Sequence, residues 1–213
     1  MQLTIIDTKA GNFGSILNGF KKIGCDINLT QDVDDIRKSK ALIIPGVSAF
    51  ARGMKGLDEA GITNLLISQI TENKVPTMGI CLGMQLLSKT GCEGTQDNKS
   101  INGLGVLDAY VERLRPKSKS YRVPNIGWYD ARSKKNSILF PQNYGDDSFY
   151  HVHSYHMICN DKNDIAATIN YDSKEVVVAV EKDHVFGCQF HPEKSQDAGL
   201  DLLNRFVSEV KSA

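Results

Sequence analysis

The chain has 213 residues, with 25 basic and 25 acidic side chains that balance to no formal net charge. That balance excludes a global pull toward nucleic acid or an anionic membrane, and the length suits one large α/β domain or two small ones, with core enough to need no staples. Five cysteines (Cys25, Cys81, Cys92, Cys159 and Cys188) form an odd, widely spread set without a CxxC pair, which excludes a disulfide framework and a thiolate zinc site and fits a reducing, cytoplasmic setting.

Residues 3–7 read as a buried strand that meets an acid, Asp7, at once. No basic segment or long apolar segment marks a signal peptide, and no apolar run approaches a membrane span. After a glycine-bearing loop over 9–14, Ile16, Leu17, Phe20 and Ile23 repeat at helical spacing, and Gly24 ends that helix. Residues 25–30 form a second strand, 34–40 a short polar helix, and 41–45 a third buried strand stopped at Pro45-Gly46. Helices run through 54–57 and 62–71, ahead of a strand that ends in Cys81. Such alternation means βαβ units and a parallel sheet, with ligands at the carboxyl ends of the strands. Asp7, Pro45-Gly46 and Cys81 are therefore expected to face one crevice.

Beyond Gly91 the pattern changes to strands with loops between them, over 103–105, 106–114, 123–128, 149–153, 165–169, 176–180 and 185–190, which adds antiparallel strands. The basic stretch 113–122, with a lone Tyr121, reads as a solvated loop, since no second basic cluster or aromatic platform supports nucleic-acid binding. A last helix over 198–211 presents Leu200, Leu203, Phe206, Val207 and Val210 to the sheet, with Ser195 or Asp197 as its cap. No internal repeat or low-complexity linker divides the chain, so 1–213 is expected to be a single domain.

Two stretches carry chemistry. Gly79-Ile80-Cys81-Leu82-Gly83 has the spacing of a nucleophile elbow: a strained residue between strand and helix, with glycines where neighbouring chain must pass close by. The helix start supplies free N–H groups that favour a thiolate and an oxyanion. Taken alone, the spacing fits a buried structural cysteine equally well. The second stretch, Gln189-Phe190-His191-Pro192-Glu193, ends a strand in a histidine that the following proline keeps extended. Residues two apart in extended chain point the same way, so Glu193 can orient the His191 imidazole and His191 can serve a thiol as base. Together the stretches favour a Cys81-His191-Glu193 triad.

These two motifs resemble the class I (triad) glutamine amidotransferases. Asp7 with Gly11-Asn12, Pro45-Gly46-Val47 with Phe50 and Met54, Gly103-Leu104-Gly105, Val123-Pro124 with Gly127-Trp128, His153-Ser154-Tyr155 and Glu193-Lys194-Ser195 are similar, in order over nearly the whole chain, to the glutaminase subunit of imidazole glycerol phosphate synthase. The resemblance implies a three-layer α/β fold: a mostly parallel central sheet, helices on both faces and added antiparallel strands. It implies that Cys81 attacks the L-glutamine side-chain amide, with His191 as base and then acid and Glu193 as orienter. Leu82 and the Gly46-Val47 turn would supply oxyanion N–H groups. Gln85, Glu93, Ser154 and Tyr155 would bind substrate, Glu93 at the ammonium group and Ser154 and Tyr155 through their backbone. Asn12 and Trp128 would lie where the family docks its synthase or cyclase, a β/α-barrel partner that receives the ammonia. No cofactor or metal is implied.

The chain departs from the family pattern at Thr8-Lys9, where an aromatic-glycine pair is usual, and at Asn125-Ile126-Gly127-Trp128-Tyr129, where His-Met-Gly-Trp-Asn is usual. The runs 153–160 and 181–187 also resemble paralogues that supply ammonia for amidation of a surface-polysaccharide sugar, so the acceptor stays open. Readings of other classes are a metal hydrolase built on His151, His153 and His156, a non-catalytic partner-binding regulator, and a cysteine peptidase. The first lacks a second ligand cluster, the second conflicts with an intact triad, and the third lacks a substrate-groove signature.

Overall fold

In the computed structural model the described residues are 3–9, 13–141, 145 and 147–212. The first half alternates as the spacing predicts: β1 (Leu3–Ile6), α1 (Phe13–Lys22), β2 (Ile27–Thr30), α2 (Val33–Lys38), β3 (Ala41–Gly46), α3 (Phe50–Glu59), α4 (Thr63–Thr71), β4 (Thr77–Cys81) and α5 (Leu82–Leu86). Gly24, with φ at +70°, ends the first helix in a conformation that glycine takes without cost. Asp32 starts α2 by accepting the amides of Asp34 and Asp35.

The second half comprises β5 (Ser88–Gly91), β6 (Ile101–Asn102), β7 (Leu107–Arg113), β8 (Asn125–Asp130), β9 (Arg132–Ser133), β10 (Ser148–His153), β11 (Tyr155–Cys159), β12 (Ile165–Tyr171), β13 (Lys174–Lys182), β14 (Val185–Cys188) and α6 (Gln196–Ser212). The expected strand at 103–105 is a loop. Gly103 lies there because a Cβ would sit 2.3 Å from the Ser88 carbonyl oxygen.

The central sheet has eight strands in the order β2-β1-β3-β4-β14-β13-β12-β9. From β2 to β14 neighbours run parallel, and β13, β12 and β9 are added antiparallel. Helices cover both faces. Ile16 and Phe20 of α1 and Leu202, Leu203 and Phe206 of α6 pack with Leu3, Ile5 and Ile43 on one face. Ile36, Phe50, Met54, Leu57, Leu66 and Ile70 pack with Ile6, Leu42 and Ile44 on the other. Burial of these apolar faces, at roughly 25 cal/mol per Å², is the main force holding the three layers.

Two small sheets stand beside this core: the ribbon β10-β8, and a sheet ordered β11-β7-β5-β6. Among the described residues no helix is long and apolar enough to cross a membrane.

Candidate active site

The elbow is built by close approach. Cys81 has φ 55° and ψ −110°, a strained conformation for a residue with a side chain, and it is 7% exposed. A Cβ at Gly79 would lie 2.6 Å from the Met84 Cα, and one at Gly83 would lie 1.5 Å from the Ile44 carbonyl oxygen. Both flanking glycines are thus demanded by space. β3 runs beside β4 with Gly46 opposite Cys81, which brings the Gly46-Val47 turn next to the thiol. Gly46 is small for the same reason: a Cβ there would meet the Leu82 side chain at 2.7 Å.

β14 lies directly beside β4, so the chain leaving it delivers His191 to the elbow. The Nδ1 of His191 pairs with Glu193 Oε1 at 2.9 Å, and both side chains are almost fully buried. Here the route differs from the sequence reading. His191 is extended (φ −102°, ψ 94°), but Pro192–Lys194 curls into a 3₁₀ turn, and this turn, rather than strand alternation, brings the carboxylate back to the ring. Burial alone would lower the His191 pKa. The neighbouring Cys81 sulfur and the hydrogen-bonded Glu193 carboxylate outweigh it and hold the imidazole up at about 10. The other ring nitrogen, Nε2, has no aligned hydrogen-bond partner among the described residues. The thiol therefore lies within electrostatic reach of Nε2 without full alignment, as is common before substrate binds.

Two hydrogen bonds clamp the His191 segment to β10, and a third closes the segment on itself. His191 N–H donates to the Tyr150 carbonyl at 3.0 Å, Tyr150 N–H donates to Ser195 Oγ at 3.0 Å, and Ser195 Oγ donates to the His191 carbonyl at 2.6 Å. Ser195 is therefore no side-chain cap for α6, contrary to the sequence expectation. Its hydroxyl is spent on the clamp, and Asp197 sits inside the first turn of the helix.

A cleft of about 510 Å³ joins these parts, lined by Cys81, Gln85, Glu93, Ser154, Tyr155 and His191 together with Val47 and Leu82. Asp7 does not line it. Its carboxylate accepts the Lys9 amide at 2.8 Å. Gln85 is buried rather than exposed on its helix, and its amide nitrogen donates to the Tyr155 carbonyl at 3.1 Å and to Gln189 Oε1 at 2.9 Å. Glu93 is held up in pKa by burial, opposed by a hydrogen bond from the Phe50 amide at the start of α3. The Ser154 carbonyl takes the Leu114 amide, and the Tyr155 carbonyl takes Gln85 and His153. Sequence reasoning passed over Gln189, which donates to Cys81 Sγ at 3.7 Å. The available signal was a lone amide inside the apolar run 185–190.

His151 and His153 share the buried face of β10. His153 is fixed in one tautomer: Nδ1 donates to the Tyr155 carbonyl at 2.9 Å, and Nε2 accepts from Asn125 at 3.2 Å. Burial, opposed by the bond to the Tyr155 carbonyl, pushes its pKa down to about 4. His151 is packed among Tyr129, His153 and Phe190, with no hydrogen-bond partner for either nitrogen among the described residues, and burial holds its pKa well below the usual value.

Such depressed groups leave the unfolded chain the better proton acceptor, so they cost stability as pH falls below about 6.5, the unfolded value. His191 has the opposite sign: its contribution is complete below about 6.5 and fades as pH rises toward 10. His151→Phe, which replaces an unpartnered ring by an apolar one of similar size, is expected to stabilise the fold by about 1–3 kcal/mol. Its advantage over the parent chain should widen from pH 7.5 to 5.5 in urea denaturation. A less stable variant, or a gap that does not change with pH, would show that His151 has a partner in solution.

The family described as glutamine amidotransferase class-I matches residues 4–210. This chain belongs to the class-I glutamine amidotransferases. It is an enzyme fold of that class by sequence as well as shape. The imidazole glycerol phosphate synthase subunit HisH 2 of Methanococcus maripaludis is 38% identical, over 98% of this chain and 100% of its own. Subunit HisH 2 of Nitrobacter winogradskyi is 35% identical, over 97% of each chain. A crystal structure of a glutamine amidotransferase superposes with a TM-score of 0.71 at 21% identity, covering 99% of both chains, and so shares the fold. On this amidotransferase, Trp128 stands 47% and Ile126 59% exposed on the outer face of β8, opposite Tyr150 and Val152 of β10. Trp128 lies 5.9 Å from the Tyr150 ring. Asn12, the other residue expected at a partner interface, lies outside the described residues.

Proposed function

We propose that this chain is the glutaminase subunit of a synthase of the imidazole glycerol phosphate type, and that it feeds ammonia from glutamine to a cyclase partner in histidine biosynthesis. The carrying observation is the strained Cys81 set beside the buried His191–Glu193 pair in one cleft. Cys81 Sγ attacks the side-chain amide carbon of glutamine. N–H groups of Leu82 and the Gly46-Val47 turn hold the oxyanion, and imidazolium, kept protonated by Glu193, gives its proton to the departing nitrogen. Ammonia leaves, His191 then takes a proton from water, and hydrolysis of the thioester releases glutamate. Glu93 reads the substrate ammonium, and Gln85, Ser154 and Tyr155 shape the cleft around the rest. Residues 1–213 act as one glutaminase domain, since His191 follows β14, in the middle of the same sheet that carries Cys81.

The exposed Ile126-Trp128 face, close to Val152 at the cleft, suits a β/α-barrel partner. The clamp through Tyr150, Ser195 and His191 gives docking there a direct line to the base. Glutamate release by the purified protein is expected to be low alone and to rise at least tenfold with the organism's histidine-pathway cyclase and its nucleotide substrate. Stimulation only by a second cyclase-like protein would favour the paralogous role, amidation of a surface-polysaccharide sugar. The unusual Thr8-Lys9 and Asn125 to Tyr129 sequences fit that second reading. High turnover without any partner would count against both.

A further inference from the structure

Gln189 lies two residues before His191 and is 0% exposed. Its backbone N–H extends the ladder of β14 by donating to the Val178 carbonyl at 2.8 Å. Burying an uncharged amide is costly unless both ends are paired, and here both ends are. The oxygen accepts from Gln85 at 2.9 Å, and the nitrogen lies 3.7 Å from Cys81 Sγ. From this geometry we infer that Gln189 is a further catalytic residue. Its side-chain N–H, 3.7 Å from Cys81 Sγ, stabilises the thiolate form of the nucleophile. The inference deepens the reading of Cys81 as the nucleophile and rests on it.

The orientation of the Gln189 amide is fixed by logic that does not involve the thiol. A backbone carbonyl can only accept. The Tyr155 carbonyl therefore requires the NH₂ end of Gln85, which reaches it at 3.1 Å. The same NH₂ group reaches Gln189, so Gln189 must present its oxygen to it. Its own NH₂ is left facing the sulfur. Turning Gln189 over would set two NH₂ groups against each other and a carbonyl oxygen against the thiolate, and both contacts repel. Tyr155, Gln85 and Gln189 thus form a one-way chain, anchored on the backbone, whose last donor points at Sγ. A donor to a charged acceptor is roughly twice as strong as one to a neutral acceptor, so this contact favours thiolate over thiol. Gln85 gains a role as well: both its N–H groups are engaged in the chain, and it acts as the positioning residue for Gln189.

The test reads thiolate directly. Full-length protein is alkylated with iodoacetamide across pH 5–9, with Cys81→Ala as the blank for the other cysteines, and glutamate release is followed in parallel. Gln189→Met keeps volume and removes the donor. It is expected to lower kcat about 10- to 100-fold with KM within about threefold, and to move the alkylation profile to higher pH. Gln85→Met leaves Gln189 in place but removes what orients it. It should move the alkylation profile in the same direction, and it carries the test if Gln189→Met fails to fold. If alkylation of both variants follows the parent profile, Gln189 only satisfies Gln85 and the inference is overturned, whatever happens to kcat. A Cys81→Ala protein that still hydrolyses glutamine would instead overturn the reading of the nucleophile itself.

Discussion

Cys81→Ala is expected to abolish glutamine hydrolysis while leaving the folded protein intact. Alanine removes the one atom that forms the thioester, and Cys81 is the only thiol among the residues that line the cleft. The loss should approach the full catalytic effect of the triad, on the order of 10⁶-fold, because triad members act as a unit. Stability should change little. The backbone at φ 55° is strained for alanine as for cysteine, and the side chain lost is small. A complex with the partner should still use added ammonia, since that route bypasses the elbow. The measurement is glutamate release by the purified variant, alone and with partner, against ammonia-dependent product formation. Residual glutaminase activity above about one part in a thousand of the parent would mean that another group attacks the amide.

The residues whose chemistry is local were legible in the sequence. A strained nucleophile needs glycine two residues to either side, and a proline after a histidine holds the strand end open. Both are statements about neighbours in the chain. The pairing of Glu193 with His191 was legible for a reason that the structure replaces: the carboxylate reaches the ring by a 3₁₀ turn rather than by strand alternation. The pairing of Gln189 with Gln85 was opaque because the two lie 104 residues apart in sequence. A buried amide with a distant partner looks like any polar residue until the sheet order is known. The five-residue helix that carries Gln85 is also too short to show which face is buried.

The fold shows the same division. The parallel half has strands and helices with their own periodicities, and these set β1 to α5 closely. In the antiparallel half, residues 148–159 alternate almost continuously, yet Ser154 separates two strands in different sheets: β10 pairs with β8, and β11 turns away to pair with β7. Ser154 is a weak turn signal, enough to end the first strand at 153 but not to show that the chain resumes as a strand in another sheet. The two-residue strands β6 and β9 are similarly set by what lies beside them. The position of β14 between β4 and β13 is not written in local sequence, and it is the feature that brings His191 to Cys81.

Gly83→Ala should have the largest effect on stability, and for a reason distinct from backbone strain. Gly83 is not at positive φ; a Cβ there would simply occupy the space of the Ile44 carbonyl oxygen, at 1.5 Å, with the Ile44 carbonyl carbon at 2.5 Å. Both atoms belong to the backbone of β3, held in register with β4 on one side and β1 on the other, so no side chain can swing aside. Either α5 lifts from the sheet or β3 bows, and either motion parts Cys81 from the Gly46-Val47 turn. The expected cost exceeds about 4 kcal/mol, in the range reserved for severe core clashes. Gly24→Ala is the natural comparison. Gly24 has φ +70° but nothing within 4 Å of its Cβ position, so that change should cost only about 1–2 kcal/mol of left-handed strain. Urea midpoints of the two variants separate the contributions. If Gly83→Ala were as mild as Gly24→Ala, the contact between elbow and β3 would be looser than 1.5 Å implies. Hydrolysis would then survive the change, because the turn and the thiol would not depend on that contact for their alignment.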